Sequence, residues 1–182
     1  NGNAFSIGLQ EGTYRAYSKS GEFLILAKVE NGVMATIKSF FEKEIDWQGN
    51  VIDNSRYFRN TKIQKAGEEY ICHQQQYPVI SMSLKSAKQP NFEMAHQSLI
   101  DEIVKEYERH RYVLLGETLL ESTKEKYRLI MERKAEPTAY AKGLEFLSAC
   151  LREYHGENTI ILIDEYDVPL ENAHFAGFYD EM

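Results

Sequence analysis

Apolar and polar positions along this chain fall into short blocks whose period switches between that of a strand and that of a helix. Phe23-Leu24-Ile25-Leu26-Ala27 is an apolar run with strand character, preceded in residues 1–22 by weakly periodic sequence that reads as irregular or short-stranded. Across residues 33–43, Met34, Ile37, Phe40 and Phe41 recur at helical spacing and predict a helix. Residues 46–61 carry Gly49-Asn50 and Asp53-Asn54, which is turn chemistry, and residues 63–74 predict a short helix. In Pro78-Val79-Ile80-Ser81-Met82-Ser83-Leu84 the apolar residues 80, 82 and 84 alternate with two serines, the mark of a half-buried strand. Asn91 then stands as N-cap to the strongest helical pattern. Phe92, Ala95, Leu99, Ile100, Ile103, Val104 and Tyr107 line one face, with Glu93, Gln97, Asp101, Glu102, Lys105 and Glu106 on the other. A break at Gly116 precedes a charged helix over 121–134, with Tyr127, Ile130 and Met131 as a thin apolar stripe. Pro137 opens another helix, extending over 139–154, with Tyr140, Leu144, Leu147 and Leu151 on one face. Residues 155–158 end it and lead into Ile160-Ile161-Leu162-Ile163, a mostly β-branched run that reads as a strand buried on both faces. A last helical pattern follows Pro169 and runs to residue 182.

Strands alternating with helices imply an α/β fold, with parallel strands joined by helical crossovers. Three clear strands are few for an open sheet, where about five or six are typical. Unpaired edges are therefore expected, and with them self-association.

The chemistry suggested by this pattern sits where the last strand ends. Asp164 and Glu165 follow Ile163 directly, at the C-terminal end of the strand, where open α/β sheets hold their ligands. Two readings fit these residues equally. In one, the first acid holds Mg²⁺ and the second polarises a water, as at a Walker B site. In the other, the strand stops because two charges must reach solvent. Asp167 adds a third acid, which either completes a hard-cation site or caps the turn before Pro169. His73, His96, His110, His155 and His174 show no metal-ligand spacing, and His96 reads as a partly buried packing residue. Cys72 and Cys150 lack CxxC spacing and read as free thiols, Cys150 within the core. Lys85-Ser86, at the end of the second strand, reads as a solvated strand end on the same rim, and residues 121–136 as a solvated helix face.

Composition narrows the classes. The 182 residues fit one domain, and 43% hydrophobic content with 12% aromatic residues is ample for a core. A formal charge of −7 disfavours non-specific nucleic-acid binding. No apolar run reaches the roughly 18 residues of a membrane span, and free thiols suit the cytoplasm. Beginning at Asn1 and ending at Met182 within a helical pattern, the chain reads as a fragment.

Gln76-Tyr77-Pro78-Val79-Ile80-Ser81-Met82-Ser83-Leu84-Lys85, and above all the block IILIDEYDVPLENAHFAGFYDEM over residues 160–182, resemble a bacterial AAA-ATPase-like family. Its members are predicted P-loop ATPases, commonly followed by a PD-(D/E)XK nuclease-like domain. The resemblance covers about the last three-quarters of the chain and decides for the Walker B reading. It implies a P-loop NTPase-like parallel sheet flanked by helices, incomplete here, with ATP and Mg²⁺ as cofactors. Asp164 would be the Mg²⁺-coordinating acid and Glu165 the water-polarising base. Residues 23–27 resemble the strand before the phosphate loop, and Lys38-Ser39-Phe40-Phe41-Glu42 the helix after it. Between them the family has Arg-Pro-Arg-Arg-Phe-Gly-Lys-Ser/Thr. An ungapped count puts its Gly-Lys-Ser/Thr at Val29, Glu30 and Asn31, none of which matches, and no such tripeptide occurs elsewhere in the chain. Residues 1–182 are thus expected to form a single AAA-ATPase-like domain fragment, with 1–35 divergent and ATP hydrolysis weak or absent. The alternatives are a non-catalytic interaction or scaffold module derived from an ATPase, and a fragment whose loop has been left out. A homo-oligomer or a protein partner is expected, with no membrane or nucleic-acid partner.

Overall fold

The computed structural model describes residues 12–17, 23–30, 33–38, 40–61 and 63–182. They belong to two compact units, one of residues 1–44 and 51–79, the other of 45–50 and 80–182.

The first unit contains an antiparallel three-stranded sheet in the order β1 (Gly12–Tyr17), β2 (Phe23–Glu30), β3 (Val33–Lys38). The run at 23–27 is therefore a strand, as its apolar character implies. The helix expected over 33–43 is not formed: 33–38 is β3, and 40–43 continues in bends and bridges. Val33, Ala35 and Ile37 alternate with Met34, Thr36 and Lys38, and the β-branched residues favour the pleated conformation. The apparent helical spacing arose only by borrowing Phe40 and Phe41 from beyond the strand. The ladder pairs Glu30 with Val33 and Val29 with Met34. The dipeptide between the two strands is Asn-Gly, the strongest short-range hairpin signal.

Further along this unit, the segment at 40–44 runs alongside two others. Glu42 bridges Tyr77 in parallel, Lys43 N donates to Tyr77 O at 2.8 Å, and Ile52 N donates to Glu44 O at 2.9 Å. Two single-turn helices follow, α1 (Ser55–Phe58) and α2 (Glu68–Ile71). Phe58 is fully buried edge-on against Phe40. Beside it the buried Asn54 donates through Nδ2 to Glu44 Oε2 at 2.6 Å and through its backbone N–H to Gln75 Oε1 at 2.6 Å. Two buried donors thus have partners, as burial requires.

The second unit is an α/β arrangement. β4 (Val79–Ser83) and β5 (Ile160–Asp164) form a two-stranded parallel sheet, joined by α3 (Phe92–Arg109), α4 (Glu121–Met131), α5 (Pro137–Ala141) and α6 (Gly143–His155). The helix predicted over 139–154 is two helices, broken at Lys142. α3 starts at Asn91, whose side chain accepts from Met94 N at 3.0 Å. Its apolar face buries Ala95, Val104 and Tyr107, the last two of which pack with Ile80, Met82, Ile130, Leu147 and Leu151 into one core. Each fully buried aliphatic side chain in such a core contributes roughly 1.5–3 kcal/mol. The deepest aromatic residues are tyrosines whose hydroxyls are satisfied by backbone. Tyr107 donates to Gly143 O at 2.7 Å, and Tyr127 donates to Tyr107 O at 2.8 Å. Leaving either hydroxyl unpartnered would cost about 1–3 kcal/mol. Burial holds both phenols well above their ordinary ionisation range. It also pushes the Cys150 thiol up to about 11, so this cysteine is core rather than nucleophile. α6 stops at Gly156, which takes the left-handed φ of 72° that glycine tolerates and a side chain resists. The chain then enters β5.

α7 (Val168–Ala176) completes the unit. Its Ala173 and the following Phe178 form a small second cluster with Ala95, and Asn172 donates to Gln89 O at 2.6 Å.

Candidate functional site

β5 delivers Asp164 to its C-terminal end, exposed to solvent, with Glu165 immediately after it and half-buried. Glu165 has a φ of 54°, a left-handed conformation that is unfavourable for a side chain of its size. Its backbone N–H donates to Asp164 Oδ1 at 2.9 Å, so the turn that strains Glu165 also orients the Asp164 carboxylate. Val168 N donates to Glu165 O at 3.2 Å, which closes the turn and starts α7. Asp167 occupies the N-cap position of α7, but its side chain makes no capping hydrogen bond; its carbonyl accepts from Glu171 N at 2.9 Å. Pro169, in the first turn, is buried and anchors the helix where a missing N–H does no harm. The 3₁₀ turn after β4, Leu84–Ala87, packs against both β5 and α7. Lys85 in that turn is exposed, as expected of a solvated strand end.

The strand itself departs from expectation. Ile161, Leu162 and Ile163 were expected to be buried on both faces, yet they are 41%, 44% and 43% exposed. Burial on both faces needs strands on both edges and a layer on each side. Among the described residues β5 has only β4 beside it. The apolar run therefore reports what the strand is suited to pack against, which the described residues do not supply.

The described residues at the expected phosphate-loop position form a strand. Val29 and Glu30, where the phosphate loop would fall, lie in β2 and pair with Met34 and Val33 of β3. A phosphate cradle needs a run of backbone N–H groups turned toward one point, a lysine and a hydroxyl. The antiparallel ladder instead pairs the backbone of Val29 and Glu30 with β3, and the Gly-Lys-Ser/Thr pattern is not met. Among the described residues, the acids expected to serve Mg²⁺-nucleotide are those at the end of β5. Among the described residues no three His, Cys, Asp or Glu side chains converge so as to hold a metal ion, so Asp164, Glu165 and Asp167 do not form a self-sufficient cation site.

Elsewhere the polar side chains sort into surface and interior. His96, read as partly buried, is exposed and stacks on Phe92 with ring centroids 5.5 Å apart. Cys72 is exposed and its Sγ donates to Glu69 O at 3.3 Å. Glu106, assigned from the sequence to the polar face of α3, is instead only 3% exposed. It accepts from Ser81 N at 3.0 Å, and Arg109 grips it through Nη2 at 2.6 Å and Nε at 3.0 Å. Burial alone would raise this carboxyl, but the His110 and Arg109 side chains and the Ser81 amide outweigh it and hold it at about 2. The spacing of Glu106, Arg109 and His110, three and four residues apart, was the signal available for a shared helix face. The tyrosine and second histidine that join them, Tyr112 and His155, come from separate elements, which no local pattern reveals.

No helix among the described residues is long and apolar enough to cross a membrane. Neither a curated protein nor a solved structure matches the chain. A family model described as predicted AAA-ATPase matches residues 32–182, a stretch that holds β4, all the helices and the acidic end of β5. With most of its length in that match, the chain belongs to the AAA-ATPase-like family.

Proposed function

We propose that this chain is an AAA-ATPase-like domain that keeps the Walker B half of a nucleotide site and lacks the phosphate-loop half, so that it hydrolyses ATP weakly or not at all. Asp164 is the acid that would hold Mg²⁺, and Glu165 the acid that would face a water. The observation that carries this reading is the contrast between the two halves. Asp164 stands exposed at the C-terminal end of a parallel strand and is oriented by the Glu165 amide. The position of Gly-Lys-Ser/Thr, by contrast, begins in an antiparallel ladder. A second reading, a scaffold module derived from an ATPase, is favoured by the exposed apolar surface of Ile161, Leu162 and Ile163 and by Phe175 of α7, which is 80% exposed. A homo-oligomer or a protein partner would use that surface.

Calorimetric titration of the chain with Mg²⁺-ATP, with Asp164→Ala as control, separates the two. Binding that is present in the native chain and lost in the variant supports the acidic strand end as a nucleotide site. Absence of binding leaves the scaffold reading.

A further inference from the structure

The sheet of the second unit ends at β5. β4 lies along one edge of that strand, and among the described residues nothing pairs with the other. A row of backbone N–H and C=O groups therefore faces outward, ready to pair with another strand. The side chains beside that edge are apolar. Ile161 and Ile163 project to one face of the strand and Leu162 to the other, and all three are more than 40% exposed. β4, by contrast, is covered, with Val79, Ile80 and Met82 buried. A helix laid over one face would shelter Ile161 and Ile163 and leave Leu162 open. A strand alongside reaches both faces at once.

The charge on β5 selects which strand fits. Asp164 is its last residue and Glu165 follows, while Ile160, Ile161, Leu162 and Ile163 carry no charge. Two copies laid parallel and in register would set Asp164 against Asp164 at the interstrand spacing of about 4.8 Å, where like charges destabilise the pair. Laid antiparallel, the acids part. Residues opposite one another in an antiparallel pair share the same face and the same backbone direction, and both alternate along a strand. A strand paired with its own copy therefore joins residues an even number of positions apart. One such register pairs the whole of Ile160–Asp164: Leu162 meets Leu162, Ile161 meets Ile163 and Ile160 meets Asp164. The two Asp164 carboxylates then stand at opposite ends of the ribbon, roughly 14 Å apart along it. That exceeds the screening length of about 8 Å at physiological salt. The neighbouring register, with Ile161 opposite itself, sets Glu157 against Glu165.

We propose that β5 is a homodimerisation edge. Two copies of this chain join their β5 strands antiparallel, about a twofold axis through Leu162, into one sheet of order β4-β5-β5-β4. The proposal rests on reading the exposed residues of β5 as an interaction surface, and it names the partner as a second copy. The contact is isologous, so it closes at two copies and does not propagate. One strand edge buries less than the roughly 800 Å² per partner of a standard interface, so the dimer is weak and forms on concentration.

The test is light scattering of the full chain over a concentration series, together with cysteine cross-linking. The native mass should rise from that of one chain toward twice that value and stop there. Leu162→Lys sets two ammonium groups face to face on the axis and should stay monomeric throughout. Leu162→Cys, with Cys72→Ser to remove the exposed native thiol, should oxidise to a disulfide-linked dimer. Residues directly opposite lie about 4.5–5.5 Å apart at Cα, within reach of that bond. Cysteine at the more exposed Phe175 of α7 should not cross-link. The cross-link decides the matter even if Leu162→Lys fails to fold. A chain that stays monomeric at its highest soluble concentration overturns the proposal, and so does a mass that rises without limit. A dimer that cross-links through Phe175→Cys and not through Leu162→Cys also overturns it, while the broader reading of an interaction module stands.

Discussion

Replacing Glu106 with Gln keeps the shape of a buried side chain and removes its charge, which makes it the most informative single change in the second unit. The carboxyl is held at about 2 against an ordinary 4.5, a difference worth about 3 kcal/mol at neutral pH. Because the folded-state value lies below the unfolded one, this stabilisation is complete above about pH 5. It is lost as pH falls from about 4.5 through about 2. Gln cannot reproduce it, since its amide nitrogen has no lone pair for Ser81 N or Arg109. Urea unfolding of native chain and variant should therefore show a gap of about 3 kcal/mol at pH 7 that narrows to less than half by about pH 3. A gap below about 1 kcal/mol at pH 7, or one that does not narrow in acid, would refute the assignment of Glu106 as a charged anchor between α3 and β4.

Two further outcomes follow from local geometry. Asn91→Ala removes the side-chain acceptor for Met94 N and should lower unfolding stability by about 1 kcal/mol, read from the urea midpoint at constant slope. Glu165→Gly relieves the left-handed backbone at φ 54° and should raise stability by about 0.5–1 kcal/mol after the entropy of the added glycine is subtracted. An unchanged or lowered thermal midpoint in that variant would show that the turn is not strained.

Much of the second unit was legible because its elements bury one face each. Ile100, Ile103, Val104 and Tyr107 of α3 and the Tyr127 and Ile130 stripe of α4 lie in the core where their period placed them. The alternation of β4 is equally plain, with Ile80 and Met82 buried and Ser81 exposed. What failed did so for physical reasons. β3 carries a helical signal because Met34 and Ile37 satisfy a helical spacing, but the whole segment satisfies a period of two and the Asn-Gly between β2 and β3 is hairpin chemistry. β5 reads as buried because composition reports suitability for burial, whereas burial itself depends on neighbouring strands. Glu106 reads as a surface acid because helical position alone does not show that Arg109, His110 and a strand amide converge on it. The pair at the candidate site, Asp164 and Glu165, was visible as adjacent acids at a strand end. The left-handed turn that orients them was not, because nothing in a glutamate announces a positive φ.

The exposure of β5 also gives its acids a use that does not depend on turnover. Thr159-Ile160-Ile161-Leu162-Ile163 is an uncharged, mostly β-branched run without Pro or Gly, three of its residues more than 40% exposed. Such a segment is the composition from which cross-β stacks are made. Repelling charges at the end of a sticky strand act as gatekeepers against that fate. Asp164 and Glu165 stand in that position. The two charges oppose in-register stacking of the strand on its like whether or not the domain hydrolyses ATP. An acidic pair in this place is therefore consistent with solubility as well as with chemistry.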